Sequence, residues 1–304
     1  MKKGIGLSVG ASGLFAILYY YTTLLKPLDG TEVFAWRVLL GFPALAVVIT
    51  HFKRWPEVWM VLKRMVTDIR YLFLQVLCSV LFGVQLWLFV WAPLHQKALD
   101  VSMGYFLLPL MMVLSGRLFY KEKLSTMQWI AVGFAVLGVT HELLRTYSFS
   151  WATALVVFGY PPYFVLRRFL KVGSLTSLYF DFGFLLLPAD YILMNQDIGV
   201  AQQFGGNGFL YVKVLVFGII SSAALLGYLT ASRLLPLSLF GILGYVEPVL
   251  LFWVAFLLLG EPVQAHEWLT YIPIWIAVLI VALEGFLAWR NDIVKRRVIA
   301  PTRK

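Results

Sequence analysis

Two stretches decide how this chain folds: GYFLLPLMMVLSGRLFYKEKLSTMQW at 104–129 and LGYVEPVLLFWVAFLLLGEPVQAHEW at 243–268. Set at a constant offset of 139, they pair Pro109 with Pro248, Glu122 with Glu261 and Trp129 with Trp268. Each copy reads as an apolar helix interrupted by Pro, then an acidic turn, then a Trp that opens the next helix. Self-similarity at a fixed period points to a repeated architecture. A blander account is that neighbouring helices repair the hydrogen bond a Pro removes, and that Glu and Trp are common at helix ends.

Working outward, the rest of the chain is as apolar as these stretches. Of 304 residues, 61% are hydrophobic and only 13% are charged, with a mean hydropathy of +0.84. A soluble domain carries about 25% charged residues, so no water-facing surface can be built from this composition. The single Cys78 excludes an intramolecular disulfide and a Cys-rich metal site. His51, His95, His141 and His266 are scattered, without the spacing of zinc ligands.

A membrane-spanning helix needs about 20 mostly apolar residues. Ten segments qualify: 4–25, 32–52, 71–92, 98–119, 126–144, 150–169, 175–194, 209–230, 237–259 and 268–288. Met1-Lys2-Lys3 before an apolar run resembles a signal peptide. The run is longer than an h-region, lacks a clear cleavage site and is followed by further spans, so it is expected to be an uncleaved first helix. The stretch 53–70 reads as a charged, amphipathic surface segment and 195–208 as a turn-rich loop.

Basic residues sort by side. With the N-terminus in the cytoplasm, the inner segments hold Lys2, Lys3, Lys53, Arg54, Lys63, Arg64 and Arg70, then Arg117, Lys121, Lys123, Arg167, Arg168, Lys171 and Arg233. Arg290, Lys295, Arg296, Arg297, Arg303 and Lys304 bring the inner total to 20 of 25. Only Lys26, Lys97 and Arg145 lie outside, while Arg37 and Lys213 fall within spans. Such a bias supports the span count and places both termini in the cytoplasm, and it accounts for the net charge of +10 without nucleic acid.

The offset divides ten spans into five plus five. An odd number of spans starts the second copy on the opposite face, so the repeats are inverted, as in secondary transporters with a midplane site on broken helices. The expected parts are a first repeat over 1–145, a second over 146–290 and a basic tail over 291–304.

The order of spans, with P-x12-E twice, resembles the EamA family of the drug/metabolite transporter superfamily. DGTEVFAWR (29–37), WAPLHQKALDVSMGYFLLPL (91–110), KEKLSTMQW (121–129) and PPYFVLRR (161–168) look like its RarD-type branch, named for chloramphenicol sensitivity. That resemblance covers nearly the whole chain. It implies an all-α protein of ten transmembrane helices in two inverted five-helix EamA repeats, around a cavity lined mainly by helices 1, 3, 4, 6, 8 and 9. It also implies permease activity, in the export direction, on small organic solutes in a bacterial inner membrane. RarD-type proteins commonly carry Asn before the first Pro, where this chain has Leu108. Glu247 stands before Pro248 instead, so the polar group has moved to the second repeat.

Intramembrane polar residues form a short list. Glu247 falls about mid-helix in the ninth span, where an unpaired carboxylate must be protonated, paired or facing water. It is the candidate proton or cation site, with a neutral, bundle-bracing Glu as the alternative, and Pro109 and Pro248 are candidate hinges. Arg37 could bind an anion, but pairing with Glu32 or snorkelling to the interface is the less demanding expectation. Asp181 receives the same treatment, and an Arg37–Asp181 pair is not expected. Lys213 and Glu284 lie close to the faces.

Aromatic candidates on cavity spans are Tyr19, Tyr20, Trp87, Trp91, Tyr105, Tyr163, Tyr228 and Tyr245, with Gln85 expected to share a face with Trp91. An aromatic cavity suits planar, amphipathic or zwitterionic solutes; for each ring, ordinary packing is the alternative. Gly4, Gly10, Gly13, Gly241 and Gly244 are expected where helices approach closely. FGGNGF (204–209) lacks the Lys and Ser/Thr of a phosphate loop, so ATP coupling would need another subunit. No cofactor or metal is implied. The expected partners are a small-molecule substrate, protons and the lipid bilayer. The rivals are a membrane enzyme, which would need clustered catalytic groups that are not visible, and a structural or sensory subunit, which would be a dry bundle.

Overall fold

Short polar side chains fix where the helices begin. Asp29 caps the second helix: its Oδ1 accepts from the Glu32 N–H at 2.7 Å, and Glu32 Oε2 accepts from the Asp29 N–H at 2.9 Å. Asp68 Oδ1 accepts from the N–H groups of Arg70 and Tyr71 at the start of another. At Ser125, the backbone N–H donates to Gln128 Oε1 and the hydroxyl accepts from the Gln128 N–H, both at 3.1 Å. Each arrangement satisfies amide donors that a helix start leaves open. The same register recurs 139 residues on, where the Gln264 N–H donates to Glu267 Oε2 at 2.9 Å.

A computed structural model describes residues 2–121, 124–146, 150–195, 208–235 and 243–299. Its helices in chain order are α1 (Lys2–Tyr21), α2 (Gly30–His51), α3 (Trp55–Thr67), α4 (Ile69–Trp91), α5 (Ala98–Tyr120) and α6 (Thr126–Thr146). They continue as α7 (Trp151–Leu170), α8 (Ser174–Met194), α9 (Gly208–Leu234), α10 (Val246–Trp253) and α11 (Trp268–Ile299), and among the described residues there is no strand. Five stretches are long and apolar enough to cross a membrane: Lys3–Leu25, Gly30–His51, Ile69–Leu94, Leu175–Met194 and Phe209–Ala231. Shorter apolar helical stretches run over Ala98–Leu108, Thr126–His141, Val246–Leu258 and Trp268–Glu284. The protein is therefore a multi-pass, all-helical membrane protein. Helix α3 lies apart from these, burying Val58, Val61 and Met65 while Lys63 and Arg64 stay exposed, which is the amphipathic surface segment expected from 53–70.

Helix pairing follows a partial exchange. Match α1, α2, α4, α5 and α6 with α7, α8, α9, α10 and α11. Helix α1 packs on α9 as α7 packs on α4, α1 on α10 as α7 on α5, and α2 on α9 as α8 on α4. The pairs α2–α8, α5–α10 and α6–α11 map onto themselves, whereas α2–α4, α5–α6 and α5–α11 have no counterpart of like extent, so the exchange is partial. In lipid, apolar side chains gain little by leaving lipid for protein, so close packing and internal hydrogen bonds must hold such a bundle together.

Close packing at glycines involves only some of those expected. A Cβ on Gly104 of α5 would sit 2.6 Å from Val156 Cβ of α7, whereas one on Gly10 or Gly13 would meet nothing within 4 Å. Gly4 does lie against Leu235, and Gly241 is outside the described residues. Gly10 and Gly13 repeat at helical spacing, but among the described residues no neighbour comes within 4 Å of a Cβ at either position. Phe252 of α10 is fully buried between Phe106 of α5 and Trp275 of α11, with ring centroids 6.5 and 5.1 Å away.

Candidate functional site

Arg37 sits two turns into α2, with its position fixed by the Asp29–Glu32 cap. It is buried, at 7% exposure. Its Nε donates to Ser221 Oγ of α9 at 3.1 Å, and the guanidinium lies 5.1 Å over the Phe89 ring of α4. Nη1 is buried without a hydrogen-bond partner. The expected structural roles for Arg37 do not hold. Glu32 turns back to its own helix cap, and a guanidinium stacked on a core ring does not snorkel.

Glu247 approaches the same centre from α10. Leu243 is helical, Gly244 and Tyr245 form a turn, and the helix resumes at Val246, so Glu247 occupies a first turn rather than the middle of a span. A helix start favours a carboxylate. Pro248 also belongs there, because its missing N–H is one that a first turn does not use. The helix break thus falls at the preceding turn, with Pro248 just inside the helix that follows it. Downstream, α10 passes into a wider π-helical turn over Val254–Leu258. Pro109 falls within α5.

Glu247 keeps part of its surface accessible, as do Tyr105, Tyr160 and Tyr228. Glu247 and Arg37 lie within electrostatic reach of each other, yet the described ion pairs within 4.0 Å do not include them. The Tyr105 and Tyr160 hydroxyls are 3.0 Å apart, and this pair is within electrostatic reach of both charges. Phe15 adds an apolar wall, with its ring 6.3 Å from both Phe89 and Tyr228. Arg37, Tyr105, Tyr160, Tyr228 and Glu247 thus converge from α2, α5, α7, α9 and α10. Sequence reasoning missed Tyr160 and Ser221; the signal for Tyr160 was its place before the Pro161-Pro162 pair of α7.

Other sequence candidates fall around this centre. Tyr19 is fully buried, donates to the Ala98 carbonyl at 3.1 Å and lies 5.0 Å from the Phe89 ring. Tyr245 is buried with an unpartnered hydroxyl. Gln85 and Trp91 do not share a face, because six residues at 3.6 per turn fall well short of two turns. Gln85 Nε2 donates to the Leu155 carbonyl at 2.7 Å, filling the space beside Gly159. Trp91 stacks on His95 at 3.9 Å and neighbours Trp151 at 5.3 Å.

Tyr163 belongs to a second polar cluster, between α4, α7 and α8. Fully buried Asp181 accepts from Ser79 Oγ at 2.8 Å, from Tyr163 OH at 3.2 Å and from Arg167 Nη2 in an ion pair. Arg167 Nη1 donates to Gln75 Oε1 at 2.9 Å. Arg167 therefore serves Asp181 rather than only marking a membrane face.

A third polar contact explains one of the repeated acids. Glu261, just beyond the π-helical turn, accepts from the N–H groups of Ala98 and Leu99 at 2.8 and 2.7 Å, closing the start of α5. Burial pushes its carboxyl pKa above the ordinary value, against the lowering effect of those two donors. Its repeat counterpart, Glu122, is outside the described residues.

With this geometry in hand, comparison with known proteins is informative. The EamA-like transporter family profile matches residues 2–141. The chloramphenicol-sensitive protein RarD of Pseudomonas aeruginosa is 43% identical over 281 residues, covering 91% of this chain and 93% of that protein. An uncharacterized transporter of Haemophilus influenzae is 38% identical over 285 residues, covering 94% and 95%. A protein crystal structure superposes with a TM-score of 0.52 at 14% identity, over 93% of this chain and 98% of the other, a likeness of fold alone.

Proposed function

The chain belongs to the EamA-like transporter family, in its RarD-type branch, and from that premise we propose a secondary active permease that exports small amphipathic organic metabolites. Its solutes are amino-acid-like or drug-like. It resides in a bacterial inner membrane with both termini cytoplasmic, and the inverted repeats 1–145 and 146–290 rock about a central site.

One observation carries this reading. Arg37, Tyr105, Tyr160 and Glu247 converge from helices of both halves inside a bundle whose outer face is apolar, with Val47, Phe169 and Leu187 at least 69% exposed. Polar groups that brace a bundle pair off, as Asp181 and Arg167 do. Here two charges lie within electrostatic reach of each other and are not among the described ion pairs, which suits a solute that enters and leaves. The partial exchange of helix pairings, the hydrogen bond shared by Ser125–Gln128 and Gln264–Glu267, and the break before Glu247 support two inverted repeats with a broken helix at the site.

In this scheme Glu247 is the coupling group. It takes up a proton while the site faces one side and releases it on the other. The test is a proteoliposome uptake panel, with and without an imposed pH gradient, in wild type and Glu247→Gln. Coupled transport predicts gradient-driven uptake in wild type that the variant loses. A variant with unchanged rate and unchanged pH dependence removes Glu247 from the mechanism.

A further inference from the structure

We propose that Arg37 is the carboxylate-recognition residue of the central site, so that the solute carried by this permease must bear a carboxylate; this rests on the transport function proposed above. The protein holds two buried arginines in its described core and treats them differently. Arg167 is neutralised by an ion pair with Asp181 on Nη2 and bonds Gln75 on Nη1, with only its Nε left over, whereas no carboxylate is among the described ion pairs of Arg37. Arg37 is fixed just as firmly, by Ser221 on Nε and by Phe89 beneath its face, yet its Nη1 donor meets no acceptor. Leaving a buried charged donor unmade costs about 1–3 kcal/mol or more. A side chain oriented on two sides and empty on a third is prepared for a ligand.

The chemistry of the missing group follows from the guanidinium. It is planar, carries only donors and matches the two oxygens of a carboxylate or phosphate. The surroundings choose between these. Glu247 is within electrostatic reach, so one positive charge already faces one negative charge. A dianionic phosphate would be repelled, whereas a monocarboxylate is accepted, and a zwitterion with its cation toward Glu247 is favoured further. The Tyr105–Tyr160 pair and the Phe15 and Phe89 rings supply flat apolar walls for the rest of the solute. Quaternary amines and neutral amphipaths, which satisfy the aromatic walls alone, are excluded as the primary cargo.

The test uses the full chain in proteoliposomes and matched probes: phenylalanine, phenylalaninamide, phenethylamine and phenyl phosphate. Binding is read in parallel by intrinsic tryptophan fluorescence of the purified protein. A charge-assisted hydrogen bond of about 1.5–3 kcal/mol predicts that wild type prefers the carboxylate over the amide by roughly 10- to 100-fold. In Arg37→Gln that ratio falls to about one, and in Arg37→Lys it falls to an intermediate value because the fork is lost. Should Arg37→Gln fail to fold, the wild-type ratio and Arg37→Lys still decide the matter. Saturable transport without a carboxylate preference, a preference for phenyl phosphate, or a preference that survives Arg37→Gln overturns the assignment while leaving the permease intact. If no probe moves faster than through empty liposomes, the permease function itself fails, and the assignment goes with it.

Discussion

Removing the Asp181–Arg167 pair tests how the bundle is held. Asp181 has no exposed surface, and the Arg167 side chain is only 10% exposed, so solvent screens neither charge. Truncating one partner leaves the other charge buried, at a cost of about 3–5 kcal/mol, so Asp181→Leu and Arg167→Met together would sum to roughly 6–10 kcal/mol if independent. The double variant removes both charges and strands only the weaker partners. Ser79, Tyr163 and Gln75 each lose one hydrogen bond, at about 0.5–1.5 kcal/mol apiece. The double variant, at about 1.5–4.5 kcal/mol, should therefore cost less than the two singles combined, leaving a coupling energy of about 5 kcal/mol at the midpoints of those ranges. The assay is reversible unfolding in mixed micelles, followed by circular dichroism, for wild type, both singles and the double. Additivity within about 0.5 kcal/mol would refute the assignment of Asp181 and Arg167 as a buried pair.

Further outcomes follow from other contacts. Gly104→Ala forces α5 away from Val156 and should cost about 1–3 kcal/mol in the same unfolding assay, whereas Gly10→Ala, with open space around it, should be neutral or slightly stabilising. Glu261→Ala strands the Ala98 and Leu99 N–H groups at about 1–3 kcal/mol each, which hydrogen exchange at the start of α5 will report as faster opening. Because its folded-state pKa is raised, Glu261 contributes stability that is full below the unfolded carboxyl value of about 4.3 and is lost as pH rises through the folded value. Stability measured across that acid window should fall less steeply in Glu261→Gln than in wild type. Tyr105→Phe removes the hydroxyl pair with Tyr160 and should weaken solute binding several-fold without unfolding the protein, as read by fluorescence titration.

The class of fold was legible because lipid imposes a strong rule: long apolar runs, polar caps and basic residues sorted by side. One hydrogen bond recurs at the 139-residue offset, from the Ser125 N–H to Gln128 and from the Gln264 N–H to Glu267, although α6 begins one residue after Ser125 and α11 four residues after Gln264. Side-chain partners across the bundle were not legible. Arg37 looked satisfied by Glu32 because the two are close in sequence, yet Glu32 serves its own helix cap while Ser221, 184 positions away, holds the guanidinium. Asp181 and Arg167 lie on neighbouring helices, and only the packing of α7 on α4 and α8 beside them brings Gln75 and Ser79 into the same cluster. Glu247 was recognised as a site residue, but its setting was misjudged: the turn at Gly244–Tyr245 converts a mid-span carboxylate into one at a helix start. Glu261 was seen as a repeated acid, and its task as the cap of α5 depends on a contact 162 residues distant.

The central claim is that the site around Arg37 and Glu247 opens alternately to the two sides of the membrane. Cys78 is the sole cysteine and is buried, so Cys78→Ala gives a clean background for one reporter thiol. Tyr228→Cys places that thiol at the centre, opposite Phe15. A charged, membrane-impermeant thiol reagent is then applied to vesicles of each orientation. Alternating access predicts labelling from both sides, slowed from both by a bound solute; labelling from one side alone, or from neither, would contradict it.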